Sequence, residues 1–292
     1  MPELPEVESI RVGVAAAVTD KTIFEVQVFH PRVVRRVPGG ADALVEALSG
    51  QRVSATRRRG KFIWFEFADA ALPWLVVHLG MSGQLLVDDV AFDNATRSYP
   101  AGRGHERARF DFLADDGSRT RLRFIDQRTF GFLALSVPAR AADSRLVPQL
   151  LAHIAPDALE LSLENLASRL SGSAREVKRL LLDQGVVSGI GNIYADEALY
   201  AARINPSARH LGVGRANRLA VAVRDVLSSA LAAGGTSFDA LYRNASGEAG
   251  YFDRSLVVYG REGQPCPTCG TVIVSVPFAG RHSHFCPRCQ AR

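Results

Sequence analysis

The chain has 292 residues, 47% of them hydrophobic, and a formal net charge of +5. This is enough apolar residue for two domains with separate cores, which argues against disorder. No stretch approaches the ~20 apolar residues of a membrane span, and the start lacks the basic flank and apolar run of a signal peptide, so a cytoplasmic protein is expected. The basic balance favours a polyanionic partner without identifying it.

The chain opens MPELPEVES, and from Pro5 to about Val18 the residues Val7, Ile10, Val14 and Ala17 recur at helical spacing. Pro5 suits a first helical turn. Strand-like segments follow at 22–29, 61–67, 74–79, 107–113, 119–125 and 130–135, rich in β-branched and aromatic residues and separated by turns such as Asp115-Asp116-Gly117. Residues 1–135 therefore read as a β-sandwich or barrel carrying a helix at its start. Two prolines and weak periodicity mark 136–150 as a linker. Helical patterns then run at roughly 145–154, 162–170, 174–184, 192–202 and 214–233, the last closed by Gly234-Gly235. A helical domain over 151–256 and a strand-like tail over 257–292 complete the division.

All four cysteines lie in that tail. Cys266-x-x-Cys269 and Cys286-x-x-Cys289, sixteen residues apart, have the spacing of a four-thiolate structural zinc site, with no open position for catalysis. The intervening segment reads as a hairpin turning at Phe278-Ala279-Gly280-Arg281, with Arg281 at its tip. The basic residues are 32 arginines and only three lysines, Lys21, Lys61 and Lys178. A lysine amine can titrate where a guanidinium cannot, so the lysines that survive this bias are candidates for a specific task. In DQGVVSGIGNIYADEALY, the glycines Gly189 and Gly191 precede a helix starting near Asn192. Outward-turned amides and the helix terminus together would form a phosphate seat, with Lys178 on the preceding helix; a tight helical hairpin needs glycine for geometry alone as well.

MPELPEVES, RRRGKF at 57–62, HLGMSG at 78–83, DQRTFG at 126–131, DQGVVSGIGNIYADEALY at 183–200, GGTSF at 234–238, GYF at 250–252, YGREGQPC at 259–266 and the cysteine array together resemble bacterial formamidopyrimidine-DNA glycosylase, nearly end to end. The resemblance implies a multidomain α and β architecture: an N-terminal β-sandwich with a leading helix, a helix-two-turns-helix domain and a C-terminal zinc-finger β-hairpin. It implies a monomeric base-excision repair enzyme that binds double-stranded DNA, excises oxidised purines, chiefly 8-oxoguanine opposite cytosine and formamidopyrimidines, and cuts the resulting abasic strand. One structural zinc ion and association with the bacterial nucleoid through DNA go with it.

Carried over position by position, Pro2 becomes the terminus once Met1 is removed, and its secondary amine is the expected nucleophile on C1′, giving an iminium from which β- and δ-elimination follow. Glu3 is the expected proton donor for ring opening, a role favoured by a raised pKa, and Glu6 the orienting carboxylate. The resemblance places Lys61 and Arg281 in the catalytic set as phosphate contacts that assist elimination. It makes Lys178, Asn192, His105 and Tyr259 DNA-binding residues. Met81, Arg128 and Phe130 fill the gap left by an extruded base, the arginine reading the opposite cytosine, which suits an intercalating wedge beside a hydrogen-bond donor. Gln127 and Thr129 depart from the Pro and Arg of many relatives, Ala174 replaces a common basic contact, and 236–252 matches a lesion-capping loop. An endonuclease VIII-like enzyme acting on oxidised pyrimidines and a non-catalytic zinc-containing DNA-binding protein are the alternatives; Leu4, Met81, Arg128 and Phe130 weigh against the first.

Overall fold

The computed structural model describes residues 2–89, 105–236 and 255–291. Helix α1 (Leu4–Val18) buries Val7, Ile10, Val14 and Val18 along one stripe, as the spacing predicts. Pro5 lies in its first turn, where a missing N–H costs no hydrogen bond. The helix stops at Thr19-Asp20, with Asp20 in the left-handed region at φ 63°. Eight strands follow: β1 (Thr22–Val28), β2 (Val53–Arg59), β3 (Phe62–Phe67), β4 (Trp74–His78), β5 (Gly83–Asp89), β6 (Glu106–Leu113), β7 (Arg119–Asp126) and β8 (Phe132–Ser136). They form two antiparallel sheets, ordered β1-β6-β7-β5 and β2-β3-β4-β8. Ile23, Phe110, Phe112, Leu122 and Phe124 of one sheet share a core with Val53, Ile63, Phe65, Leu75 and Leu133 of the other, so the sheets form a sandwich. Each fully buried aromatic there is worth about 1.5–3 kcal/mol.

The sequence reading misses β2 and β5 because both carry charge. The β2 guanidiniums of Arg58 and Arg59 meet Glu8 at 2.7 Å and Asp143 at 3.0 Å, and Asp88 of β5 meets Arg123 at 2.7 Å. Each partner is remote in sequence. Helix α2 (Gly40–Leu48) is also missed; it buries Leu44 and Leu48. The expected linker is corrected too: β9 (Pro138–Arg140) and β10 (Leu146–Pro148) pair as a small hairpin, and the helix expected at 145–154 is replaced by β10 and a short 3-10 turn over Gln149–Leu151. The two prolines sit at opposed positions, Pro138 facing Pro148, on a two-stranded ribbon that places little demand on ladder hydrogen bonds.

Four helices form the second core: α3 (Leu163–Leu170), α4 (Val177–Leu182), α5 (Asn192–Ala201) and α6 (Val213–Ala232). Strands β11 (Val274–Phe278) and β12 (Arg281–Phe285) make the cysteine hairpin, turning through Ala279 and Gly280 at φ 47° and 73°. Two consecutive positive φ angles match the twist of a two-residue hairpin. Within the described residues, one compact unit holds Pro2, Glu6–Ala152 and Thr236, and the other holds Glu3–Pro5, His153–Gly235 and 255–291. The cysteine hairpin packs within the helical unit. Gln290 explains part of this: its side chain donates to Ile204 O at 2.9 Å while its carbonyl accepts from Asn205 at 3.0 Å.

Candidate functional site

In the helical unit, the glycine turn and the N-terminal segment fit each other. Gly189 is at φ +93°, and a Cβ there would stand 2.5 Å from Cδ1 of Leu4, whose N–H donates to Gly189 O at 2.9 Å. Glycine is required by both conformation and contact. Glu3 then accepts from the backbone N–H groups of Gly191 (2.5 Å), Ile193 (2.9 Å) and Tyr194 (3.4 Å), and is 2% exposed. The anion seat expected at the start of α5 is therefore filled by the protein's own carboxylate, a correction to its expected use for phosphate. Both Glu3 oxygens accept, Oε2 from Gly191 and Tyr194 and Oε1 from Ile193, so the amides favour the ionised carboxylate.

Helix α5 also organises the hairpin. Asp196, fully buried, accepts from Lys178 Nζ at 2.6 Å, Ser283 Oγ at 2.9 Å and His284 N at 2.9 Å. Asn192 Nδ2 donates to His282 O at 2.9 Å. One turn on, Glu197 accepts from the N–H groups of Val257, Val258 and Tyr259 at 2.8–3.0 Å. Burial pushes the Glu197 carboxyl up, against those three bonds. Burial likewise raises the Tyr259 phenol, opposed by a hydrogen bond with Asn192, and its ring lies edge-on to His284 at 4.9 Å.

Lys178 is placed differently from the expectation. Its side chain is 0% exposed and paired with Asp196, so it offers no surface cation to a DNA phosphate. Burial holds its amine below the ordinary lysine range despite that partner. Arg281, by contrast, is exposed at the start of β12, as expected of a hairpin tip. At Ala174, where a basic side chain was expected to be lost, Arg209 donates to the carbonyl at 3.1 Å and brings an exposed guanidinium alongside.

The sulfur atoms of Cys266, Cys269, Cys286 and Cys289 all lie within 4.8 Å of one another, with Cys266–Cys289 at 3.9 Å and Cys269–Cys286 at 3.5 Å. A zinc tetrahedron with 2.3 Å bonds has edges of roughly 3.8 Å, so the four thiolates fit one structural zinc ion. Cys286→Ala is expected to lower bound zinc from one ion per chain to none by elemental analysis, with DNA affinity lost alongside.

In the sandwich unit, Pro2 is buried. Glu6, 5% exposed, accepts from both N and Oγ1 of Thr236 at 2.8 and 3.0 Å. It thereby holds the residue that begins the expected lesion-capping loop; residues 237–252 of that loop lie outside the described residues. Lys61 is 7% exposed, in the β2–β3 turn after Gly60. All three lysines are thus drawn inward, since Lys21 Nζ donates to Thr120 Oγ1 at 2.7 Å. His105 is half-buried at the entry to β6, its Nδ1 3.5 Å from Arg107.

His78 is a neighbour that sequence reasoning passed over, though HLGMSG contains it. Its ring packs on Phe62 at 4.6 Å and Phe132 at 5.4 Å, and Nδ1 accepts from Gly80 N at 3.2 Å. Burial first, then the charges of Lys61, Arg36 and Arg35, lower its pKa from 6.5 to about 4. The unfolded chain therefore takes up this proton first as pH falls. The contribution is complete above pH 6.5 and lost on descent towards 4, up to about 3 kcal/mol. Urea unfolding of His78→Gln at pH 7.5, 6 and 5 is expected to show a correspondingly shallower acid loss than the parent.

Met81 and Phe130 are 41% and 44% exposed, so neither is a core residue. Met81 lies in the turn closed by Gly83 N to Leu79 O at 2.8 Å. Phe130 sits in the loop joining β7 to β8, with the Arg128 guanidinium 5.3 Å from its ring centre. Asp126, 0% exposed, ties the two turns together: it accepts from Ser82 Oγ at 2.6 Å and from the N–H groups of Arg128 and Gly131 at 3.2 and 2.7 Å. The expected trio is assembled on one unit, with its apolar members facing solvent.

A metal-ready hairpin bolted to a glycine-turn helix pair, in a chain whose sandwich unit exposes Met81 and Phe130 on adjoining turns, defines a zinc-finger protein of the helix-two-turns-helix class. Residues 1–133 match the formamidopyrimidine-DNA glycosylase N-terminal domain, residues 154–241 its H2TH domain, and residues 263–292 the zinc finger found in FPG and IleRS. Formamidopyrimidine-DNA glycosylase of Nocardia farcinica is 48% identical over 306 residues, covering 100% of this chain and 99% of that protein. That of Salinispora arenicola is 50% identical over 298 residues, covering 100% and 97%. Among solved structures, a Lactococcus lactis Fpg variant bound to Fapy-dG-containing DNA superposes with a TM-score of 0.80 at 28% identity, covering 100% of both chains. MutM in complex with carbocyclic 8-oxo-G-containing DNA gives the same values. The chain belongs to the formamidopyrimidine-DNA glycosylase family.

Proposed function

We propose that this protein is a bifunctional DNA glycosylase and abasic-site lyase that removes 8-oxoguanine opposite cytosine and formamidopyrimidines from double-stranded DNA. It works as a cytoplasmic, nucleoid-associated monomer with one structural zinc ion. The observation that carries the reading is the seating of Glu3: the amide of Gly191 and two amides of α5 fix the residue that follows Pro2. The neutral Pro2 nitrogen attacks C1′ of an extruded nucleotide, the glycosidic bond breaks, and the base leaves with a proton. Ring opening protonates O4′ and leaves an iminium, which acidifies the C2′ proton and allows the flanking phosphates to depart in turn. Glu3 exchanges the O4′ proton through a carboxylate lone pair that its amide bonds do not use. Lys61 and Arg281 meet the flanking phosphates, while Met81, Arg128 and Phe130 occupy the gap in the stack. Lys178 and Asn192 act by holding the hairpin.

Duplexes containing 8-oxoguanine opposite cytosine, or thymine glycol, test the substrate class. Faster excision of 8-oxoguanine, with both strand ends left as phosphates, is expected. Preference for thymine glycol would favour the endonuclease VIII-like alternative, and binding without excision would favour the non-catalytic one.

A further inference from the structure

We infer that Arg35, with Arg32 and Arg107, forms a frame that sets the backbone of the wedge loop, making Arg35 a positioning residue for opposite-base reading. The inference rests on the proposed role of Arg128 and Phe130. The loop from Asp126 to Gly131 runs between β7 and β8 with Thr129 in the left-handed region at φ 55°, a conformation unfavourable to a β-branched residue. Something must hold it. Arg107 donates to the carbonyls of Asp126 (2.8 Å) and Gln127 (3.2 Å), Arg32 to that of Thr129 (3.2 Å), and Arg35 to those of Phe130 (2.8 Å) and Gly131 (2.7 Å).

Three guanidiniums thus bind five of the six carbonyls from 126 to 131. Arg35 matters most because it alone of the three binds the carbonyl of Phe130 itself, together with the next one, Gly131. Its NH1 also donates to Arg32 O at 2.7 Å, and its guanidinium lies 5.3 Å from the Phe132 ring centre. That arrangement uses the planar geometry of arginine; a lysine ammonium would reach one carbonyl at a time. The clamp approaches from a separate element, the 3-10 turn over Pro31–Val34 and the residue that caps it. Its loss would leave the carbonyls of Phe130 and Gly131 without these donors, while Arg107, Arg32 and Asp126 still held the rest of the loop.

The test uses the whole protein and three variants: Arg35→Ala, Arg35→Lys and Phe130→Ala. Hydrogen exchange of the free protein should show faster exchange at the Arg128 and Gly131 amides in Arg35→Ala at an unchanged melting temperature, with Arg35→Lys failing to restore the parent rate. Unchanged exchange would overturn the frame. On duplexes with 8-oxoguanine opposite cytosine or adenine, Arg35→Ala should lower single-turnover kcat about 10- to 100-fold on the cytosine pair and erode the preference for it, as expected for a misplaced reading group. Its salt dependence of binding should stay that of the parent. A salt slope reduced by about one, with affinity lost equally on both duplexes, would make Arg35 a phosphate contact and overturn the proposal. Normal discrimination in Arg35→Ala beside lost discrimination in Phe130→Ala would also overturn it. Normal discrimination in Phe130→Ala itself would place the failure in the wedge reading, with the exchange result still judging the frame.

Discussion

Pro2→Gly is expected to give little or no borohydride-trapped adduct on 8-oxoguanine DNA, and a preparation that retains Met1 none at all. In the variant the terminal amine is primary and conformationally free, and with Met1 retained the Pro2 nitrogen is an amide with no lone pair to donate. Binding of the duplex should persist in both, because the groups assigned to backbone contact are untouched. The effect on excision is of the size seen when a nucleophile is deleted, several orders of magnitude. The readout is mass spectrometry of the reduced complex from the parent protein, which should map the linkage to residue 2. A linkage elsewhere, or full excision by the Met1-bearing chain, would refute the assignment of Pro2.

Asp196→Ala is expected to produce the largest loss of stability of any single change in the helical unit, about 3–5 kcal/mol. Lys178 would remain 0% exposed with its carboxylate gone, while Ser283 Oγ and His284 N lose their acceptor. Urea unfolding measures the cost. Because an unpaired buried ammonium is the main penalty, adding Lys178→Met to the same chain should restore part of the stability. It should not fully restore strand cleavage, since the β12 bonds of Ser283 and His284 to Asp196 would still be missing and only Asn192 would hold the strand carrying Arg281 to α5. A change below about 1 kcal/mol in Asp196→Ala would mean that water reaches Lys178 and that the pair is not buried in solution.

Much of this site was legible from residue order. The paired cysteines, the two-residue turn before Arg281 and the leading helix needed only spacing and turn chemistry, and each is where the periodicity placed it. Met81, Arg128 and Phe130 were legible as a trio through resemblance, and the structure leaves all three exposed. The strand β2, by contrast, reads VSATRRR, a pattern that looks solvated until Glu8 and Asp143 arrive from other elements. The arginine frame was invisible for the same reason, as Arg35 lies about ninety-five positions from the carbonyls that it binds.

What the sequence determined by itself was the chemistry available: a proline at position 2, four thiolates, a glycine-rich turn before α5, and very few lysines. These are properties of residue type and local spacing. The tertiary structure decided what each charged group faces. Glu3 meets the amides of α5, Lys178 meets Asp196 out of reach of solvent, and Gly189 is required by the side chain of Leu4. Electrostatic roles depend on distance in space and on burial, and neither is encoded by position along the chain until the fold brings the partners together.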